Sequence, residues 1–377
     1  MITHYIGIDA HTTNYTLSTA SDFEDKAYNT NKYGPQLHFI IRYANALIKK
    51  EHITKDNILI GYEAGCLGFT LQRDLTLNGF HCIVMAPSSI SGTEMNRKRK
   101  VKTDYRDAEA IAFALRNDSY SAVAVPDEHD EAVRDYIHEY EAERKVLKSI
   151  KQRIGALCRR HGQNYEGTGR WSKEHIKWLK NLSFSDEILN ETLENLLLEY
   201  EHVVEELEKR QRRIEEIAET DRYRESVHKL ICLKGVKTLT ALAVIVEIGD
   251  FARFMKANNF VAFLGLSVGE NSSSTDHNQG GITKLGNRFI RRLLTEAAQS
   301  YTRAVSKKSK ELKKRQEGNT EEVIAYADKA NERLRKRYRH LVLHNMKNHN
   351  KAKTAIAREL ACFIWGMMTG NIHTVLS

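Results

Sequence analysis

Four acids occupy positions from which they could meet. Asp9 and Glu63 each stand at the end of a short apolar run, Tyr5-Ile6-Gly7-Ile8 and Asn57 to Tyr62. Asp104 and Asp107 stand three residues apart at the start of a helical pattern and so face one way. Brought together, four carboxylates repel one another unless cations neutralise them. Hard oxygen donors select Mg2+ or Mn2+, and two such ions can activate a nucleophile and steady the leaving oxygen of a phosphodiester. Taken singly, each acid has a plainer reading as a turn cap, a solvated strand end or a helix-dipole partner. The set and its order point to chemistry. Arg97, Lys98, Arg99, Lys100, Lys102 and Arg106 crowd the approach to the Asp pair. There they either attract a scissile backbone or simply compensate the acids.

Positioning such acids takes an α/β domain, and the pattern from residue 1 to 126 predicts one. Tyr5 to Ile8 is a strand ending at Asp9, with Tyr15 to Ser18 as the return arm of a hairpin. Leu37 to Ile48 is helical, Asn57 to Tyr62 a buried strand, Leu67 to Leu77 helical, and His81 to Met85 a strand closed by Pro87. A last helix runs from about Thr103, a fitting N-cap, to Arg116.

Residues 127–222 change character. Leu189, Leu193, Leu196, Tyr200, Val203, Leu207, Ile214 and Ile217 follow alternating steps of four and three, broken by Arg210, which predicts a coiled-coil seam. Val133, Ile137, Tyr140, Leu147, Ile150, Ile154 and Leu157 repeat the spacing earlier, with Gly162 to Gly169 between. The two pair either as an antiparallel hairpin in one chain or across a dimer. Residues 223–377 read as a mainly helical domain, in which the Leu233-Lys234-Gly235-Val236-Lys237 turn could touch backbone phosphate through exposed amides.

Charge separates these parts. The whole chain is +9, yet Ile282 to Leu360 holds 21 lysines or arginines against 8 acids, leaving the remainder slightly acidic. A basic face confined to one region suits a nucleic-acid backbone, whose neutralised phosphates release counterions. The five cysteines form no C-x-x-C pair and read as reduced thiols of a cytoplasmic, nucleoid-associated protein. No signal peptide is expected, and Leu360 to Met368, the longest apolar run, is too short to cross a bilayer.

Several motifs in order complete the reading. Tyr5-Ile6-Gly7-Ile8-Asp9, Glu63-Ala64-Gly65, Lys102-Thr103-Asp104-Tyr105-Arg106-Asp107-Ala108, Leu264-Gly265-Leu266 and Gly281-Ile282-Thr283-Lys284-Leu285-Gly286-Asn287 are followed by Ala325-Tyr326-Ala327-Asp328-Lys329-Ala330 and Ala355-Ile356-Ala357-Arg358-Glu359-Leu360. Over nearly its whole length the chain resembles the DEDD insertion-sequence transposases, a family that includes Piv-like DNA invertases and bridge-RNA-guided recombinases. The resemblance implies a RuvC-like, ribonuclease-H-like N-terminal domain with Asp9, Glu63, Asp104 and Asp107 as metal ligands. It also implies a C-terminal transposase domain whose loop before Gly281 supplies a nucleophilic serine, placed at Ser273 within Ser272-Ser273-Ser274, to within one position. Implied partners are double-stranded donor and target DNA, a structured guide RNA and a second copy or three, as homodimer or homotetramer. Lys284, Arg288, Arg291 and Arg292 join the basic residues named above as nucleic-acid contacts. The chain departs from the family pattern at Lys237, Val268 and Ser274. A RuvC-like endonuclease using water in place of the serine keeps the fold and is the alternative. An actin-like ATPase, suggested by Gly7 to Thr13, lacks the further Gly-rich phosphate loops it would need.

Overall fold

The computed structural model describes residues 1–65, 67–87, 103–270, 279–303 and 308–372. The chain divides into two compact units, Met1–Val125 and Pro126–Ser377.

The first unit is a five-stranded mixed sheet between helices. β1 (His4–Ala10), β2 (Tyr15–Ser21) and β3 (Glu24–Tyr33) form an antiparallel meander, while β4 (Ile58–Glu63) and β5 (His81–Met85) run parallel to β1, giving the order β3-β2-β1-β4-β5. Ile6, Ile8, Ile58 and Ile60 point to one face, where α1 (Leu37–Glu51) and α2 (Thr70–Leu77) bury Ile40, Tyr43, Leu71 and Leu75 against them. The alternate residues of the same strands, Gly7 and Gly61, lie under α3 (Asp104–Arg116). A Cβ at Gly7 would stand 2.2 Å from the Ala108 carbonyl oxygen and 2.4 Å from the Ala112 nitrogen. Only a bare backbone lets this helix lie so close.

Most of the expected elements are present, with shifted ends. Asp9 is the penultimate residue of β1 and Glu63 the last of β4, rather than the residues just after them. Thr103 occupies the N-cap position of α3, but its side chain makes no capping bond. β3 was not expected: its sequence EDKAYNTNKY is polar and mostly exposed, which is how an edge strand reads.

The second unit is almost wholly helical. α4 (Glu128–Arg160) and α6 (Glu187–Ala218) pack antiparallel within the one chain, with α5 (Lys173–Lys180) between them in sequence. The direction is fixed by Arg153 with Glu199 at 2.9 Å and Arg210 with Glu143 at 2.9 Å. Arg210, the break in the seam, is therefore an ion-pair position. The expected single seam divides between two cores: Ile150, Ile154, Leu157, Leu193 and Leu196 pack with α5, whereas Val133, Ile137 and Ile214 belong to the main core. That core is built from α7 (Arg224–Ile231), α8 (Thr238–Ile248), α9 (Ala257–Phe263), α10 (Arg288–Ala298), α12 (Glu321–Arg339) and α13 (His349–Met368), with α11 (Lys310–Gln316) alongside. The apolar run Leu360 to Met368 lies in α13 and is core, and no helix of the described residues is long and apolar enough to cross a membrane.

Candidate active site

β1 and β4 are paired with Ile8 beside Tyr62, so their next residues, Asp9 and Glu63, stand at the same end of the sheet and on the same face. That is the face on which α3 lies. The helix runs antiparallel to β1: its last residue, Arg116, donates to the Ser21 and Glu24 carbonyls beside the start of β1, and its first turn, with Asp104 and Asp107, arrives at the other end.

There Asp9, His11 and Asp104 bring one donor atom each within 4.8 Å of one another. His11 Nε2 is 3.2 Å from Asp9 Oδ2 and 3.9 Å from Asp104 Oδ1. The other Asp104 oxygen, Oδ2, accepts a 2.8 Å hydrogen bond from Lys32 Nζ. This bond, reinforced by the Lys32 and His11 charges, holds the Asp104 carboxyl below the usual carboxylate range, and the same bond raises the Lys32 ammonium. Asp9 is largely covered, with 16% of its side chain exposed, against 38% for Asp104. Glu63, exposed at its strand end, and Asp107, half-buried one helical turn on from Asp104, are not part of the three-residue group.

His11 and Lys32 were not singled out from the sequence. Lys32 is placed by register alone: Asp9 lies opposite Thr16, and Thr16 opposite Lys32, so three neighbouring strands put these residues in one row facing α3. Two carboxylates and an imidazole, with an ammonium already drawn to one carboxylate, are a donor set that fits a hard or borderline divalent cation. The group can hold a metal ion.

In the second unit, the Leu264-Gly265-Leu266 and Gly281 to Asn287 motifs dock on each other. Lys284 N–H donates to the Gly265 carbonyl (3.0 Å), Asn287 N–H to that of Phe263 (3.1 Å) and Thr283 N–H to that of Ser267 (2.9 Å). A Cβ at Gly286 would lie 1.9 Å from the Phe263 carbonyl oxygen, at a φ of +116° that favours glycine. Asn287 caps α10 by accepting from Ile290 N–H and donates to the largely covered Glu247, which His138 also contacts at 2.7 Å. Burial raises the Glu247 carboxyl, but the bonds from His138 and Asn287 outweigh it and leave it lowered. This framework carries a two-stranded hairpin, β6 (Val268–Glu270) and β7 (Gln279–Ile282), on either side of residues 271–278. Ser273 and its two neighbours lie outside the described residues, as do Arg97, Lys98, Arg99, Lys100 and Lys102.

The remaining basic candidates have different surroundings. Arg106, Lys284 and Arg288 are exposed. Arg291 donates to the Leu264 carbonyl at 2.7 Å, and Arg292 is paired with buried Glu141 and with Glu296. Arg291 and Arg292 are therefore engaged in holding the domain together. At the Lys234–Lys237 turn the amides are not all exposed as expected, since Lys234 N–H donates to Asn331 Oδ1 and Val236 N–H to the Leu233 carbonyl. The turn instead presents Lys234 and Lys237 to a cleft of about 910 Å³ shared with Arg303, Arg315 and Arg335. Burial, together with the Arg335 and Arg303 charges, pushes the Lys234 ammonium down. With Lys308 the cleft has six cations against three acids, Glu311, Asp328 and Glu332, an excess of positive charge that favours an anionic ligand.

Comparison with known proteins follows this geometry. A family model described as "Transposase IS116/IS110/IS902 family" matches residues 227–314, from α7 into α11. A protein named as transposase y4qE, of Sinorhizobium fredii, is 33% identical over 316 residues, covering 83% of this chain and 75% of that one. The transposase for insertion sequence element IS1533 of Leptospira borgpetersenii is 34% identical over 302 residues, covering 78% and 85%. The transposase for element IS1328 of Yersinia enterocolitica is 26% identical over 217 residues. The class that these relatives define is the insertion-sequence transposases, enzymes that cleave and transfer DNA. The chain belongs to the IS116/IS110/IS902 family of transposases.

Proposed function

We propose that the chain is the transposase of a mobile insertion sequence, cutting and rejoining double-stranded DNA through a RuvC-like carboxylate site in its first unit and a serine, Ser273, from its second. The observation that carries this reading is the convergence of Asp9 and Asp104 at one strand end, under a helix that only Gly7 allows so close. The strand order, an antiparallel meander followed by two parallel strands, supports the ribonuclease-H-like assignment.

In this reading Asp9 and Asp104, with His11 and the nearby Glu63 and Asp107, hold Mg2+ or Mn2+. When bound, the metal supplies Lewis-acid activation of an oxygen nucleophile and charge neutralisation at the phosphodiester. The Ser273 hydroxyl loses its proton and attacks phosphorus. An Oγ–P bond forms, the bond to one deoxyribose oxygen breaks, and that oxygen takes up a proton. The covalent link conserves bond energy for rejoining. The Lys32 bond holds the Asp104 carboxyl lower still, so Asp104 meets a cation as a carboxylate already paired with an ammonium. Arg106, the cleft at Lys234 and the exposed Lys284 and Arg288 supply backbone attraction. A structured guide RNA and assembly as a dimer or tetramer belong to the same reading, supported by the motif order and by the need to cut more than one strand.

The test is excision in cells from a plasmid carrying the gene with its native flanks, with rejoined junctions amplified across the element ends. Junctions from the native chain that vanish in Asp104→Ala and in Ser273→Ala are the expected result. Junctions that persist in Ser273→Ala would put water in the place of the serine, and those that persist in Asp104→Ala would end the carboxylate reading.

A further inference from the structure

The end of the α4–α6 hairpin that carries α5 has a core of its own, and beside that core is a feature that strand cutting does not use. His175, Tyr165, Trp171 and Trp178 converge there. The imidazole lies 4.7 Å from the Tyr165 ring, 5.2 Å from Trp171 and 5.7 Å from Trp178, the last nearly parallel at 18°. These rings border a cavity of about 350 Å³. Its remaining polar walls are the cations Lys148, Lys151, Arg159 and Arg170 and the amides of Gln152, Gln163 and Asn164. Among the described residues no carboxylate lines it, although the neighbouring α6 is rich in glutamate.

A purely structural aromatic cluster would bury its rings and balance its cations with acids. Here Tyr165, Trp171 and Trp178 stay only half-buried, and Lys148, Arg159 and Arg170 are exposed. Trp171 has a φ of +66°, an unusual backbone conformation for so bulky a residue and one that tends to be kept where it serves a site. Its N–H donates to His175 Nδ1 at 3.0 Å, which leaves the imidazole proton on Nε2. Burial and the Arg170 charge hold His175 below its usual range, so at neutral pH it is an uncharged ring. Lys151 Nζ, in the cavity wall, stands 5.2 Å from the Trp171 ring centre and 5.6 Å from that of Tyr200, a cation–π contact that steadies the indole.

Flat rings, amides and cations without acids are the complement of one nucleotide: a base to stack, edges to hydrogen-bond and a phosphate to neutralise. We propose that this pocket holds an unpaired nucleotide of a single-stranded nucleic-acid segment, with the base against the indoles, its edge toward Gln152, Gln163 and Asn164, and its phosphates on Lys148, Arg159 and Arg170. Duplex bases, stacked on their neighbours, cannot enter. Both RNA and DNA carry this chemistry, and the 2′-hydroxyl is what can separate them.

Two of the three tryptophans are in the pocket, and the third, Trp365, donates to the Phe254 carbonyl in the main core, so intrinsic fluorescence reads occupancy over a constant background. Full-length protein is titrated with an eight-nucleotide oligo-U, an oligo-dT of the same length, a blunt DNA duplex and inorganic polyphosphate. Quenching by at least one single strand is expected, with little change from duplex or polyphosphate. Arg159→Gln/Arg170→Gln, a change at two exposed positions, weakens that binding about tenfold. Tighter binding of oligo-U assigns the pocket to an RNA, and tighter binding of oligo-dT to an unpaired DNA strand. Absence of quenching by both single strands, equal quenching by polyphosphate, or an unchanged affinity in the double variant overturns the proposal. Asp104→Ala leaves the quenching intact, which keeps this result separate from the outcome of the excision assay.

Discussion

At Gly7 a helix comes so near a strand that one methyl group would collide with Ala108 and Ala112, and at Gly286 a loop comes as near to Phe263. The two approaches differ in what they accomplish. Gly7 has an ordinary strand conformation, and its bareness delivers Asp104, ninety-seven residues later in the chain, to the end of its own strand beside Asp9. Gly286 has a φ of +116° and joins two segments that are close in sequence, clamping the base of the β6–β7 hairpin. In the first unit a single contact assembles chemistry from distant residues. In the second, the motif residues are framework, and whatever chemistry the hairpin offers lies between its strands.

The sharpest break of this comparison is at the acids themselves. Asp9→Ala or Asp104→Ala should lower junction formation by about a thousandfold or more, while DNA affinity in gel shifts stays within about twofold. Parallel loss of binding and activity would make the acids structural. Next come the glycines. Gly286→Ala meets both a wrong φ and a backbone clash and should cost about 3 kcal/mol or more, with hydrogen-exchange protection lost first around residues 257–266 and 282–301. Gly7→Ala meets the clash alone and should cost about 2 kcal/mol, yet it should remove more activity per unit of stability because α3 must shift. Equal activity losses at equal destabilisation would erase the distinction drawn above.

Lys32→Gln tests how the site is tuned. Removing an ammonium beside a cation site should tighten Mn2+ binding, read by calorimetry, on the order of a few-fold, the effect shrinking with added salt. Unchanged affinity would show that Lys32 does not reach the site in solution. The smallest effect is expected at His138, half-exposed and raised by its bond to Glu247. A raised histidine stabilises fully below its unfolded value near 6.5 and loses that contribution as pH rises through its folded value. His138→Gln should therefore flatten the fall in stability between pH 6 and 8, by under about 1 kcal/mol given its exposure.

What the sequence made legible follows from what is local. Asp9 and Asp104 were readable because a strand end and a helix start are punctuated by nearby residues, Gly7-Ile8 on one side and Thr103 on the other. His11 lies two residues past Asp9, where only a known strand direction gives it meaning. Lys32 depends on the register of three strands, one of which is too polar to show any alternation. The heptads of α4 and α6 were visible, but not that two different cores would share them, because periodicity gives a face and not its partner. The aromatic pocket escaped for the same reason: its rings come from a connection and a short helix, and its cations in large part from α4.

Lys32 also belongs to the outermost strand of its sheet. An outer strand exposes unpaired amides and carbonyls to which another chain can add, and it is commonly defended by charge. β3 is defended in this way, with Glu24, Asp25, Lys26 and Lys32 among its ten residues. The lysine that tunes the carboxylates therefore also helps to keep one copy of this protein from growing a sheet onto the next.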